Sequence, residues 1–444
     1  MTPSETETAT ARERRARPAP PGPFPPASGS RPRDFDAKAR AAAARAARES
    51  YGKLLAFLAA RSRDVSRAED ALADAFAAAL TVWPARGVPA NPEGWLATAA
   101  RRRLIDGARR RRNAESSAEA LRLIGDELMA AVADASIPDR RLALMFACAH
   151  PAIEESIRSP LMLQTILGLD AAAIGSAFLV SPAAMGQRLA RAKAKIRLAG
   201  VPFRIPEPED LPERLGAVLE AIYAAFAHGW AEAFSDDPRG RDLAEEAIWL
   251  GRVLAGLAPA EPEAKGLLAL MLYAHSRRAA RRDGAGKYVP LSDQRTELWD
   301  EAAIEEAERL LRAASLSNAP GRFQFEAAVQ SVHAARRSTG ATDWEAIATL
   351  YDALHALTGS PVVAVNRAVA VAQTQGAAAG LALLREVGAD GGLAGFEPYW
   401  VAKAELAART GDLVEARRAY EVAIGLQEDP AARAFLSERL AVLL

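Results

Sequence analysis

From about residue 35 to the C-terminus, apolar residues recur at three- and four-residue steps, with Gly and Pro between helix-length segments. That spacing puts apolar side chains on one face of helix after helix. Val and Ile are scattered, and no alternating stretch predicts a strand. The pattern predicts an all-α fold. In Asp64–Leu80, Val65, Ala68, Ala71, Leu72, Ala75, Phe76 and Ala79 form an apolar stripe. Asp64, Glu69, Asp70 and Asp74 form an acidic face there, read either as a solvated surface or as a dock for a basic partner. Residues 1–34 break the pattern with Pro, Ser, Thr and Arg, and are expected to be a disordered tail. Residues 113–135 read as a polar, alanine-rich connector. The proline-rich 200–212 reads as an extended linker.

The segment 170–198 has the grammar of a helix-turn-helix. Asp170 is placed to cap a helix over Ala171–Phe178, and Leu179-Val180 makes the turn. Ser181 caps a second helix with Pro182 at its first position. Met185, Leu189, Ala192 and Ile196 form the apolar face of that helix. Arg188, Arg191, Lys193, Lys195 and Arg197 make it basic. Ser181, Ala183, Ala184, Gln187 and Arg188 at its start are placed to reach bases or nearby phosphates, and the later basic residues to hold the backbone. Gly175 and Gly186 count against the motif at about 1 kcal/mol each. The competing reading is a basic solvated helix in an ordinary bundle.

A second basic segment spans 83–112. A Pro/Gly loop feeds a helix with seven arginines in its last twelve residues, Arg101, Arg102 and Arg103 first among them. Trp83, Trp95 and these arginines suggest a surface for melted nucleic acid, where bases stack on rings and arginines hold phosphates. The alternative makes Trp95 a core anchor and the arginines a solvated face.

Charge changes the picture further. The 444 residues carry no net charge, but residues 1–205 hold 32 Lys and Arg against 21 Asp and Glu, and residues 206–444 hold 24 against 35. A basic part for a polyanion is thus joined to an acidic part with another task. A single cysteine, Cys148, excludes an internal disulfide, and Cys148-Ala149-His150 reads as a buried Cys and a capping His. The five histidines are dispersed and no catalytic signature appears, so no enzyme, cofactor or metal is expected. No apolar run is long enough for a transmembrane helix, and no signal segment opens the chain, so a cytoplasmic location is expected. Near the end, Gly411, Ala416, Tyr420 and Ala423 match one tetratricopeptide (TPR) unit, and Gly376 lies near the expected period upstream.

Taken in order, these segments resemble a bacterial sigma-70 family factor of the extracytoplasmic-function type. The resemblance rests on Arg67–Phe76, Asn91–Asp106 and Ala177–Arg197. Lys195–Gly200, Gly266–Leu272, Arg277–Arg281, Leu350–Leu354 and Ser360–Ala370 resemble a subgroup with a long C-terminal helical extension. The resemblance implies sigma domain 2 over 35–112, with core RNA polymerase docking on Asp64, Glu69, Asp70, Asp74 and Phe76. It implies that Trp83, Asn91, Trp95, Thr98, Arg101, Arg102 and Arg103 capture melted −10 DNA. Domain 4 over 136–199 then reads −35 DNA through Ser181, Ala183, Ala184, Gln187, Arg188, Arg191, Lys193 and Lys195. Residues 213–444 become an acidic TPR-like regulatory domain with an unknown protein or ligand as partner. Partners are thus core RNA polymerase and promoter DNA, with no membrane. The rival reading is a TPR-like scaffold whose sigma-like part has lost DNA binding. An enzyme within 213–444 finds no cluster to support it. The chain departs from the family pattern at Ala149, Ala173, Gly175, Gly186 and Ala227-His228-Gly229-Trp230.

Overall fold

The computed structural model describes residues 33–110, 139–178, 180–207, 209–231, 238–388 and 392–443. Residues 1–32 of the expected tail and the whole 113–135 connector lie outside them. The described residues are α-helical with short 3-10 turns, and no strand occurs among them beyond an isolated bridge between Arg282 and Tyr288. None of these helices is long and apolar enough to cross a membrane.

Three helices open the fold: α1 (Arg33–Ser62), α2 (Val65–Arg86) and α3 (Pro92–Arg110). Asp64 starts α2 by accepting from the Arg67 amide at 3.2 Å, and Gly87 stops it with φ +87°. The predicted stripe is buried except for half-buried Phe76, and Trp83 extends it by one turn. Next come α4 (Arg141–Cys148), α5 (Glu155–Leu167), α6 (Ala171–Ala177) and α7 (Pro182–Leu198). Asp170 and Ser181 cap α6 and α7 as the sequence suggests, through the amides of Ala172 and Ala184. Gly175 proves to be required by the turn. A Cβ there would stand 2.5 Å from the Val180 carbonyl oxygen, so the helix cost is offset by close backbone approach. Gly186 has no such reason, since a Cβ would meet only Ala171 at 3.9 Å.

Helices α8 (Leu211–Ala231), α9 (Pro238–Leu257) and α10 (Pro262–Ser276) follow. Then come α11 (Glu301–Ser315), α12 (Arg322–Thr339), α13 (Trp344–Thr358), α14 (Pro361–Thr374), α15 (Ala377–Val387), α16 (Glu397–Thr410), α17 (Leu413–Leu426) and α18 (Pro430–Ala441). The segment after α7 does not separate two bodies. Val201 is buried, and one hydrophobic core runs from Ala39 through α12, taking in both N-terminal bundles and the start of the acidic part. From α13 onward, consecutive helices pack mainly on their chain neighbours around three smaller cores. The α16–α17 hairpin turns at Gly411 (φ +83°), and Ala407, Ala416, Tyr420 and Ala423 fill its seam. One hairpin earlier, Gly380 does this work: a Cβ would lie 2.5 Å from that of Ala372. That is why the residues after Gly376 match the repeat pattern poorly while the helices still pair.

Candidate nucleic-acid interface

Helix α7 carries the basic residues predicted to read DNA. Ser181, Ala183, Ala184, Gln187, Arg191 and Lys195 are exposed along it. Arg188 is half-buried and donates to the Ser156 hydroxyl at 2.6 Å, with Glu154 3.8 Å away. A groove of about 150 Å³ runs between α5 and α7, lined by Ile153, Ile157, Arg191 and Lys195 among others. Met185, Leu189, Ala192 and Ile196 are buried and hold α7 to the bundle.

Lys193 departs from the reading as a DNA contact. Its side chain is buried, and its ammonium donates to both carboxylate oxygens of Glu69 on α2, at 2.7 and 2.6 Å. One turn on, Arg197 lies 3.5 Å from Asp64, which is itself only 3 % exposed. The acidic face of α2 and the basic face of α7 therefore meet each other. Burial raises the Glu69 pKa, and the Lys193 charge and hydrogen bond pull it back down. Asp70 and Asp74 stay exposed, with Arg103 3.7 Å from Asp74.

Glycine marks this seam. A Cβ on Gly52 of α1 would sit 1.9 Å from the Ile166 carbonyl oxygen of α5, so the two backbones touch only because the side chain is absent. Beside it, Tyr51 lies against Gly168, which ends α5 with φ +67°. Burial, then the Glu69 charge, push the Tyr51 phenol up. Sequence reasoning missed this contact, since nothing local ties residue 52 to residue 166.

The α2–α3 corner is mixed. Asn91 caps α3 by accepting from the Gly94 amide at 2.8 Å, and Thr98 donates to the Gly94 carbonyl at 2.8 Å. Arg102 and Arg103 are exposed and Arg101 is half-buried. Trp83 is 1 % exposed and meets half-buried Trp95 edge to face at 5.5 Å. The predicted aromatic surface is corrected here: Trp83 follows Ala79 by four residues on the apolar stripe, so its ring has no free face for a base.

Cys148 is buried, its thiol pushed up to about 12 mainly by burial, with its sulfur 3.7 Å from the Thr165 hydroxyl. His150 accepts from the Ala152 amide at 3.1 Å. Neither holds a metal-like arrangement, and no group of His, Cys, Asp or Glu among the described residues does.

The profile of sigma-70 region 2 matches residues 47–114, most of α1 and all of α2 and α3. An uncharacterized protein of Rhizobium meliloti strain 1021, R00370, is 38 % identical over 397 residues, which are 88 % of this chain and 92 % of the relative. Residues 47–114 thus form a sigma-70 region 2. A family of unknown function, DUF6596, matches residues 214–315, from α8 to the end of α11. No solved structure matches it.

Proposed function

We propose that this chain is a sigma factor of the extracytoplasmic-function type that directs promoter-specific initiation by core RNA polymerase in the cytoplasm. The observation that carries the reading is the region 2 match on a three-helix bundle with its acids on α2 and its arginines on α3. In this reading Asp64, Glu69, Asp70 and Asp74 dock on polymerase. Asn91, Trp95, Thr98 and Arg101–Arg103 face the melted −10 strand. The exposed start of α7 reads the −35 duplex. The chemistry of RNA synthesis stays with the polymerase, and the chain needs no cofactor.

The reading requires that α7 leave α2, because Lys193 and Arg197 occupy two of the acids meant for polymerase. The described arrangement is then the closed form. The TPR-like C-terminal part is suited to control it. Arg141 of α4 pairs with Glu246 of α9 and lies 4.5 Å from the centre of the Trp249 ring. Ser159 of α5 donates to the Ala217 carbonyl of α8 at 3.3 Å. Moving α8 and α9 thus moves the surface on which the helix-turn-helix rests.

The second reading, a scaffold that has lost DNA binding, draws on the burial of Trp83 and Lys193. Promoter binding by the polymerase complex across a salt series separates the two. A sigma factor gives an affinity that falls steeply with salt, and Arg191→Ala lowers the logarithmic slope by about 1. An unchanged slope in Arg191→Ala overturns the role of α7. Absence of polymerase binding favours the scaffold.

A further inference from the structure

Ser156, the second residue of α5, is held between two charged side chains. The Arg188 guanidinium of α7 donates to the Ser156 hydroxyl oxygen at 2.6 Å, and that hydroxyl donates to the Glu154 carboxylate at 2.6 Å. Glu154 also lies 3.8 Å from the Arg188 guanidinium. Chemistry fixes the directions of these bonds. A guanidinium only donates and an ionised carboxylate only accepts, while a hydroxyl has one proton to give and lone pairs to receive with. Serine therefore links the two charges, where alanine would link nothing. Glu154 stands at the N-cap position of α5, yet its side chain caps no amide there. Its carboxylate is turned to Ser156 and Arg188 instead.

This cluster sits at the surface, on the rim of the groove between α5 and α7. The Glu154 side chain is 75 % exposed and that of Arg188 28 %, so the guanidinium is held on one side and open on another. Buried Met185 and Leu189 fix the stretch of α7 that carries Arg188, and the bond to Ser156 fixes the tip of the side chain. A mobile arginine loses rotamer freedom when it binds a partner, and one already held loses less. The bond to Ser156 uses one N–H of the fork and leaves the others for a second partner. In the major groove such a fork matches the O6 and N7 acceptors of guanine.

We propose that Ser156, oriented by Glu154, is a positioning residue that aims Arg188 at a guanine of the −35 duplex and so sets the base preference of α7. The inference rests on the reading of α7 as the −35 reader. It adds two residues at the start of α5 that act through Arg188 rather than on the DNA itself.

The test presents the full chain, bound to core polymerase, with duplexes randomised over the −35 region, and sequences those retained. Wild type is expected to enrich a guanine at one position, and Arg188→Ala to lose that enrichment. Ser156→Ala is expected to lower it about tenfold at that position alone, and Ser156→Thr, which keeps the hydroxyl, to restore it. Glu154→Ala weakens the same position. Ser156 is exposed, so the truncated side chain leaves no cavity, and an unchanged melting temperature verifies the fold. Full enrichment in Ser156→Ala, or a loss spread equally over all positions, overturns the proposal and leaves α7 as the reader. A guanine that survives Arg188→Ala overturns the role of Arg188, and the proposal with it. No enriched base in the wild type overturns −35 reading as a whole.

Discussion

At the residue scale, the pairing of Lys193 with Glu69 is the contact on which the closed arrangement turns. Removing one partner leaves the other charge largely desolvated, whereas replacing both with apolar groups does not. Lys193→Met is expected to cost about 3 kcal/mol in urea unfolding. Lys193→Met with Glu69→Met is expected to recover most of it, and strictly additive losses would refute the coupling. His333 gives a pH signature. Burial, with Arg277 and Arg336 beside it, holds its folded pKa at about 4, below the ordinary 6.5, so the unfolded chain binds the proton first as pH falls. Stability is full above 6.5 and is lost down to 4, by about 2–3 kcal/mol at pH 4.5. His333→Gln should flatten that limb of a stability–pH curve, and an unchanged limb assigns it to other groups. Much at this scale was legible in the sequence, because caps and stripes are local: Asp170 and Ser181 cap where spacing put them. Trp83 misled because a ring beside a Pro/Gly loop reads as exposed, while its register on α2 buries it.

At the scale of elements, glycines set how closely helices approach. Gly175 lets the turn between α6 and α7 close, and Gly175→Ala is expected to cost about 1–3 kcal/mol and to weaken promoter binding. A variant with wild-type melting would show that the turn relaxes freely. Gly52 matters in another way, since it joins two elements rather than shaping one. Gly52→Val must push α1 from the Ile166 carbonyl and loosen the contact of α2 with α7. The helices were predictable from periodicity, but this crossing was not. It pairs residues far apart in sequence, and a glycine in a helix gives no sign of its neighbour.

Across the whole molecule, the charge asymmetry between halves suggested separable parts, and the packing unites them. Met145, Met162 and Ile166 of the helix-turn-helix bundle share an apolar seam with Ile222 of α8 and Leu250 of α9. A chain ending at residue 205 exposes that seam, so it is expected to bind a hydrophobic dye and lose cooperative melting. Sharp melting without dye binding would show that the N-terminal part stands alone. Repeat packing from α13 on was legible only where Gly411 and Tyr420 spell it out. Elsewhere a shifted glycine, Gly380, builds the same hairpin with another spelling. The central claim, a sigma factor held closed by its own packing, is tested most directly by run-off transcription on sheared genomic DNA with sigma-free core polymerase. Discrete transcripts that appear with the full chain and increase with Gly52→Val are the predicted result. No discrete transcripts from either chain would contradict it.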